Sequence, residues 1–399
     1  MENFLEQYIV SVVSEYNTNT IEVNFCAMTV IRRRMMHGYR QLCMDSFISS
    51  HLQLPPSLFP PFFCCAPSQR NATGTVVAMD RNSDGLEALQ KSLIQNYSNA
   101  SNSDDAKDRI LIIPTNHEDL ASVKEASELI ISRFDRVDLL LNNAGFSYSN
   151  YAKSSAHGKD LAFTVNYLSH FLLTEKLLQS LSDGGRIVHV TSSFHWKVDG
   201  SELVPDPENG VPLAYQSDPN LQSPRHVPRS YPNTKLAQLW HSRSIAAEAL
   251  SSGARCSSVC ACPSWAATGI AGKGGRKFLE KYAFPVSDCG PGVTSAINGM
   301  FRSDDELGDA LNNGTSFVAN SRIIEYCFPR SLVASKFMAN ILPGWRDFTS
   351  NVVGFLILFF QKYTHDDFII QQTSPESFED KEKRDRFYRW SKEEVKDWL

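Results

Sequence analysis

The chain has 399 residues, enough for two average domains or one large α/β domain with additions. Its 39 Lys+Arg stand against 44 Asp+Glu, a formal charge of −5, which argues against a general nucleic-acid binder with a clustered basic surplus. Hydrophobic residues make up 42% and charged residues 21%, so the chain can bury a core, and no apolar run reaches the roughly 18 residues of a membrane span.

The N-terminus, MENFLEQYIVSVV, is acidic and lacks the basic region of a signal peptide. Residues 1–70 form an atypical segment. They hold one glycine, Gly38, and end in PPSLFPPFFCCAP, where neither a helical nor a strand period holds. Apolar residues alternate through Ile21, Val23 and Phe25, which makes 20–31 the candidate strand of this segment. Residues 71–330 read as one domain. Short apolar runs at 75–79, 109–113, 137–141 and 186–190 alternate with helical patterns at 120–134 and 161–181. A helix from 231 to about 250 and a strand near 256–262 follow. This alternation predicts a doubly wound parallel sheet covered on both faces. Residues 197–230 hold six prolines and read as a long surface insertion whose acidic residues would disfavour anionic substrates at the rim of a cleft. Residues 331–399 are an apolar extension followed by a C-terminal helix. Phe387, Trp390, Glu394 and Trp398 fall at helical spacing there, and Ser391 and Glu394 are spaced as a capping box. The nine cysteines form no CxxC pair and no HExxH occurs, so no metal site is expected and the thiols read as free. Asn71, Asn96, Asn99 and Asn313 open glycosylation tripeptides that read as chance matches in the absence of a secretory signal.

Four strings can carry chemistry. Asn142-Asn143-Ala144-Gly145 follows an apolar strand, where small residues let a flat ligand approach the backbone at the strand's carboxyl end. The same letters also suit an ordinary polar turn. Tyr231 and Lys235 sit four apart on a helix and share a face, and a nearby ammonium lowers a phenol's pKa towards usable acid/base chemistry. Tyr388 and Lys392 repeat that spacing with nothing else around them, so the pair alone is a weak signal. Thr191-Ser192-Ser193 ends another strand, where a hydroxyl can hold a substrate oxygen or simply cap a turn. Asn166 lies mid-helix, an unfavourable place unless it has a buried polar role.

The order NNAG, Asn, Ser, YxxxK, each on the element that suits it, resembles the short-chain dehydrogenase/reductase family. FTVNYLSHFLLT, RIVHVTSSFH and YPNTKLAQLWHSRSIAAEAL resemble its retinol-dehydrogenase-like branch. The resemblance implies a Rossmann-type domain that binds NAD or NADP. In that light Tyr231 is the acid/base, Ser192 orients the substrate oxygen, Lys235 lowers the Tyr231 pKa and bonds the nicotinamide ribose, and Asn166 links Lys235 to a water relay. The cofactor would also meet Asn143, Ala144, Gly145, Pro263 and Thr268, with Asn116 near the adenine. Asp80 at the end of GTVVAMD would bond the ribose hydroxyls and lean the preference to NAD, while Arg81 beside it would instead hold a 2′-phosphate. The family's Pro-Gly is here Pro263-Ser264.

One departure is large. The family's first strand and TGxxxGxG turn belong about 30 residues before Asp80, yet Gly38 is the only glycine before Gly74. Those glycines allow the tight turn and the approach of pyrophosphate to helix amides. The expectation is therefore an α/β Rossmann-type sheet whose first strand is absent or substituted. The expected function is NAD(P)-dependent interconversion of an alcohol and a carbonyl on a small apolar, retinoid- or steroid-like molecule. The alternatives are a catalytically impaired relative, or a product of aberrant splicing or a faulty gene model. Further expectations are no nucleic-acid partner, a homo-oligomer, peripheral membrane contact through 340–361, and a cytoplasmic or membrane-associated location.

Overall fold

The computed structural model describes residues 7–11, 75–101, 109–147, 152–216, 230–252, 256–263, 289–311, 315–321, 338, 341, 342, 345, 348, 349, 352 and 365–399. The apolar runs lie side by side as β1 (Gln7–Ser11), β2 (Thr75–Asp80), β3 (Ile110–Pro114), β4 (Val137–Asn142), β5 (Leu181–Val190), β6 (Ser257–Ala261), β7 (Ser316–Ser321) and β8 (His365–Gln372). Their spatial order is β3-β2-β1-β4-β5-β6-β7-β8. The first seven run parallel and β8 closes the edge antiparallel to β7. The reversal of strand order at β1/β4 is the switch point outside which doubly wound sheets bind ligands.

The central place, between β2 and β4, is filled by Gln7–Ser11, with Ile9 opposite Val77 on one side and Leu140 on the other. The expectation of a substituted first strand therefore holds, but the strand is not 20–31, which lies outside the described residues. Tyr8-Ile9-Val10 is a short run of β-favouring residues, as a strand in the middle of a parallel sheet requires.

The strand alternation sends Val77, Met79, Leu140 and Ile187 to one face and Val76, Leu139, Leu141, Val188 and Val259 to the other. The helices are α1 (Ser83–Ser101), α2 (Leu120–Arg133), α3 (Leu161–Phe163), α4 (Ser169–Leu177), α5 (Ser230–Ser252), α6 (Cys289–Phe301) and α7 (Lys381–Glu394). The first face packs on α2, α4, α5 and α7, and the second on α6. A π turn, Thr164–Leu168, joins α3 to α4, with the Ser169 amide reaching back to Thr164 O.

Two expectations are corrected. The described part of the insertion is not wholly a surface excursion: Val198, Leu203, Ala214 and Tyr215 are buried, and the Tyr215 ring packs against Phe163 and Trp390. Apolar residues scattered among prolines hid this, since no periodicity connects them. Gly200 sits there at φ +78°, where a Cβ would come within 2.7 Å of the Trp240 indole. The Ser391–Glu394 capping box does not form. Asp380 caps α7 through the Lys383 amide, and Ser391 lies inside the helix, bonding Phe387 O and the Tyr167 hydroxyl. Within 365–399, β8 extends the same sheet and Phe387 enters the same core. Among the described residues no helix is long and apolar enough to cross a membrane, and Cys256, Cys260 and Cys262 are free and buried.

Candidate active site

The carboxyl ends of β4 and β5 and the first turns of α5 meet at one edge of the sheet. Thr191 follows β5 directly. Its amide bonds Ala261 O and its hydroxyl bonds Lys235 O at 2.9 Å, which fixes the start of α5 against the strand ends. Ser192 caps the short turn Ser193–Lys197, accepting from the Phe194 amide, and its hydroxyl is near enough to the Tyr231 phenol to lower its pKa. Tyr231 is half-buried and its ring meets Phe194 edge-on at 6.0 Å. The structure therefore brings Ser192, Tyr231 and Lys235 together.

The electrostatics differ from expectation. Burial pushes the Tyr231 phenol above its ordinary range, and only the Ser192 hydroxyl pulls it back down. The Lys235 ammonium lies 5.4 Å from the ring centroid and is held by Val190 O at 2.8 Å and Gln238 Oε1 at 3.2 Å. Desolvation lowers Lys235 itself to about 8. The expected lowering of Tyr231 by Lys235 is thus overridden by burial of the phenol.

Asn166 is fully buried in the π turn. Its side chain clamps the backbone of Phe146, accepting from its amide at 3.0 Å and donating to its carbonyl at 2.9 Å. Gly145 sits against this clamp, where a Cβ would stand 3.2 Å from Asn166 Oδ1. The Asn166 carbonyl accepts from Gln238 Nε2 at 2.8 Å. The link from Asn166 to Lys235 therefore runs through Gln238, a residue the sequence reading missed. Its signal was legible: Tyr231, Lys235 and Gln238 form an i, i+4, i+7 stripe. His195 was missed as well. Its Nε2 accepts from the Ser374 amide, so Nδ1 carries the proton and donates to Ser192 O at 2.7 Å, tying the serine turn to the segment after β8.

Asp80 ends β2 buried, with Oδ1 accepting from the Asn82 amide at 2.7 Å. Arg81 beside it is exposed. With Thr115, Asn116, His117, Glu118, Phe146 and Val165 it lines a small open pocket at the ends of β2, β3 and β4. Asn116 Oδ1 accepts from the Glu118 amide at 3.2 Å, so one lone pair remains for a ligand. Asn143 and Pro263 are half-buried and Ala144 is buried at the same sheet edge. Thr268 lies outside the described residues, as does the chain between β1 and residue 75, whose sequence holds no glycine but Gly38 and Gly74.

These residues fit the two nucleoside ends of a dinucleotide. The Lys235 ammonium has three N–H groups and two described acceptors, leaving one for a ribose hydroxyl. The pocket at Arg81 and Asn116 offers a charged and an amide side chain to a base and its ribose. The glycine turn for the pyrophosphate has no counterpart in the sequence. Among the described residues no cluster of three or more His, Cys, Asp or Glu could hold a metal ion.

Residues 68–198 match the short chain dehydrogenase family. Retinol dehydrogenase 13 of Homo sapiens is 42% identical over 84 residues, covering 20% of this chain and 25% of that protein. Short-chain dehydrogenase TIC 32 A, chloroplastic, of Brassica napus is 25% identical over 177 residues, covering 43% and 49%. Among solved structures, a short chain dehydrogenase from Burkholderia cenocepacia J2315 in complex with NADP superimposes with a TM-score of 0.40 at 16% identity, over 57% of this chain and 81% of that chain. The chain spans between a quarter and about half of the length of these curated relatives. Over residues 68–198 the chain is thus similar to the short-chain dehydrogenase/reductase family, and in part to retinol dehydrogenases.

Proposed function

We propose that this chain is an NAD(P)-dependent oxidoreductase that interconverts an alcohol and a carbonyl on a lipid-like substrate. The observation that carries the reading is the meeting of three groups after β5: Ser192 in the turn that follows the strand, Tyr231 with its ring beside Phe194, and the Lys235 ammonium 5.4 Å from that ring's centroid. A nicotinamide supplies or accepts the hydride when bound. Ser192 Oγ holds the substrate oxygen, and Tyr231 Oη gives the proton in the reducing direction and takes it in the oxidising one. The free N–H of Lys235 holds the ribose, and Asn143, Ala144 and Gly145 give its ring a flat approach. On the adenosine side, Asp80 already caps the Asn82 amide, whereas Arg81 is exposed on the pocket wall. Asp80 at the end of β2 suits ribose hydroxyls, as NAD offers, and Arg81 beside it suits a 2′-phosphate, as NADP offers. An apolar substrate is supported by the Phe194 ring beside Tyr231.

Fluorescence titration of the purified chain with NADPH and NADH tests the first step. Saturable binding is expected, and the ratio of the two affinities decides between Asp80 and Arg81 as the group that meets the ribose. No binding of either at millimolar concentration would replace this reading with that of a catalytically impaired relative, as the missing glycines would then imply. A panel of retinal, steroid ketones and short hydrophilic aldehydes tests the substrate class, and a preference for the hydrophilic aldehydes would overturn it.

A further inference from the structure

Gln238 bridges two groups of different character. It lies one turn beyond Lys235 on α5 and is 1% exposed. Its amide orientation is fixed by its partners, because the Asn166 carbonyl can only accept and the Lys235 ammonium can only donate. Hence Nε2 faces Asn166 O at 2.8 Å and Oε1 faces Lys235 Nζ at 3.2 Å. The carbonyl it meets belongs to the π turn, a departure from the regular helical ladder of the kind that collects at functional sites. The Asn166 side chain is meanwhile committed to Phe146, just past the Asn143-Ala144-Gly145 edge. One continuous line of hydrogen bonds therefore runs from the end of β4 through Asn166 and Gln238 to Lys235 and on to Val190 O at the end of β5.

We propose that Gln238 is a positioning residue that holds the Lys235 ammonium in place and occupies, with its own amide, the link between Lys235 and Asn166. This rests on Lys235 belonging to the cofactor site. The bridge has two consequences. It presents an acceptor dipole to a cation in a dry interior, where hydrogen bonds to charged groups are strong. It also aims Nζ, since two of its three N–H directions are set by Val190 O and Gln238 Oε1. The other groups facing Lys235 are Tyr231 on its own helix, Cys260 and Cys262 at the end of β6, and His170 on α4. None of them supplies a second neutral side-chain acceptor in contact with Nζ among the described residues.

The test reads Lys235 directly and needs no turnover. In protein labelled at lysine Cε, the Lys235 resonance is assigned with Lys235→Met and titrated by NMR. Its lowered pKa, about 8, separates it from surface lysines near 10.4. Gln238→Met keeps the length and removes the acceptor, and should lower the Lys235 pKa by about one unit or more. Gln238→Glu should raise it by a comparable amount. The Glu variant keeps the proposal testable if the Met variant does not fold. A Lys235 pKa unmoved in both folded variants, or moved the same way in both, would overturn the bridge. Opposite shifts in a protein whose wild type binds no NADPH or NADH would sustain the bridge while sinking the oxidoreductase reading.

Discussion

Lowering the pH from 7.5 to 5.5 is expected to remove a large part of this fold's stability, because five histidines are folded away in neutral form. His117, His170, His189, His195 and His241 are at most 3% exposed. Burial lowers His117 and His195 to about 4 and His189 to about 3, and holds His170 and His241 well below the ordinary value. In the unfolded chain each titrates near 6.5. Between the folded and unfolded values the unfolded state binds more protons, so stability falls as pH falls through 6.5. At pH 5.5 each histidine costs about 1.4 kcal/mol, and five cost about 7 kcal/mol, comparable with the whole stability of an ordinary domain. Glu175 and Glu394 have the opposite sign. Burial raises their carboxyls, so the fold keeps protons that the unfolded chain releases, and they offset part of the drop. Urea unfolding followed by tryptophan fluorescence at pH 7.5, 6.5 and 5.5 measures the effect. His241→Phe should flatten the drop by about 1.4 kcal/mol. A stability at pH 5.5 within about 1 kcal/mol of that at pH 7.5 would refute the neutral burial of these rings.

Gly200→Ala forces a Cβ into the Trp240 indole at a left-handed backbone position and should cost about 2–4 kcal/mol by denaturant unfolding, whereas Gly210→Ala, also left-handed but with open space around it, should cost only about 1. Tyr388→Phe removes the hydroxyl that bonds Glu175 and Glu248, and should cost about 1–3 kcal/mol with turnover per folded molecule unchanged. Tyr231→Phe should abolish turnover and leave NADPH binding within about twofold; retention of more than a few per cent of wild-type activity would remove Tyr231 as the proton donor. His195→Phe breaks the tie between Ser192 O and the Ser374 amide and should lower kcat about tenfold with cofactor Kd unchanged, while His195→Gln, which can donate and accept, should recover part of the loss.

The local patterns in the sequence were enough for the strands from β2 to β6, for α2 and α5, and for the shared face of Tyr231 and Lys235. Each depends on neighbours within a few residues: an apolar run bounded by polar turns, or a face repeating every third and fourth position. What the sequence could not decide depends on partners far along the chain. The central place in the sheet went to Gln7–Ser11 and not to 20–31, because pairing with Val77 and Leu140 on both sides selects a strand, and alternation alone does not. The fate of Ser391 was set by Tyr167, 224 residues away, and that of Tyr215 by Phe163 and Trp390. The protonation chemistry was likewise tertiary. A lysine four residues from a tyrosine suggests a lowered phenol, but the pKa follows burial and the direction of the ammonium. Here Val190 O and Gln238 hold the ammonium while desolvation raises Tyr231.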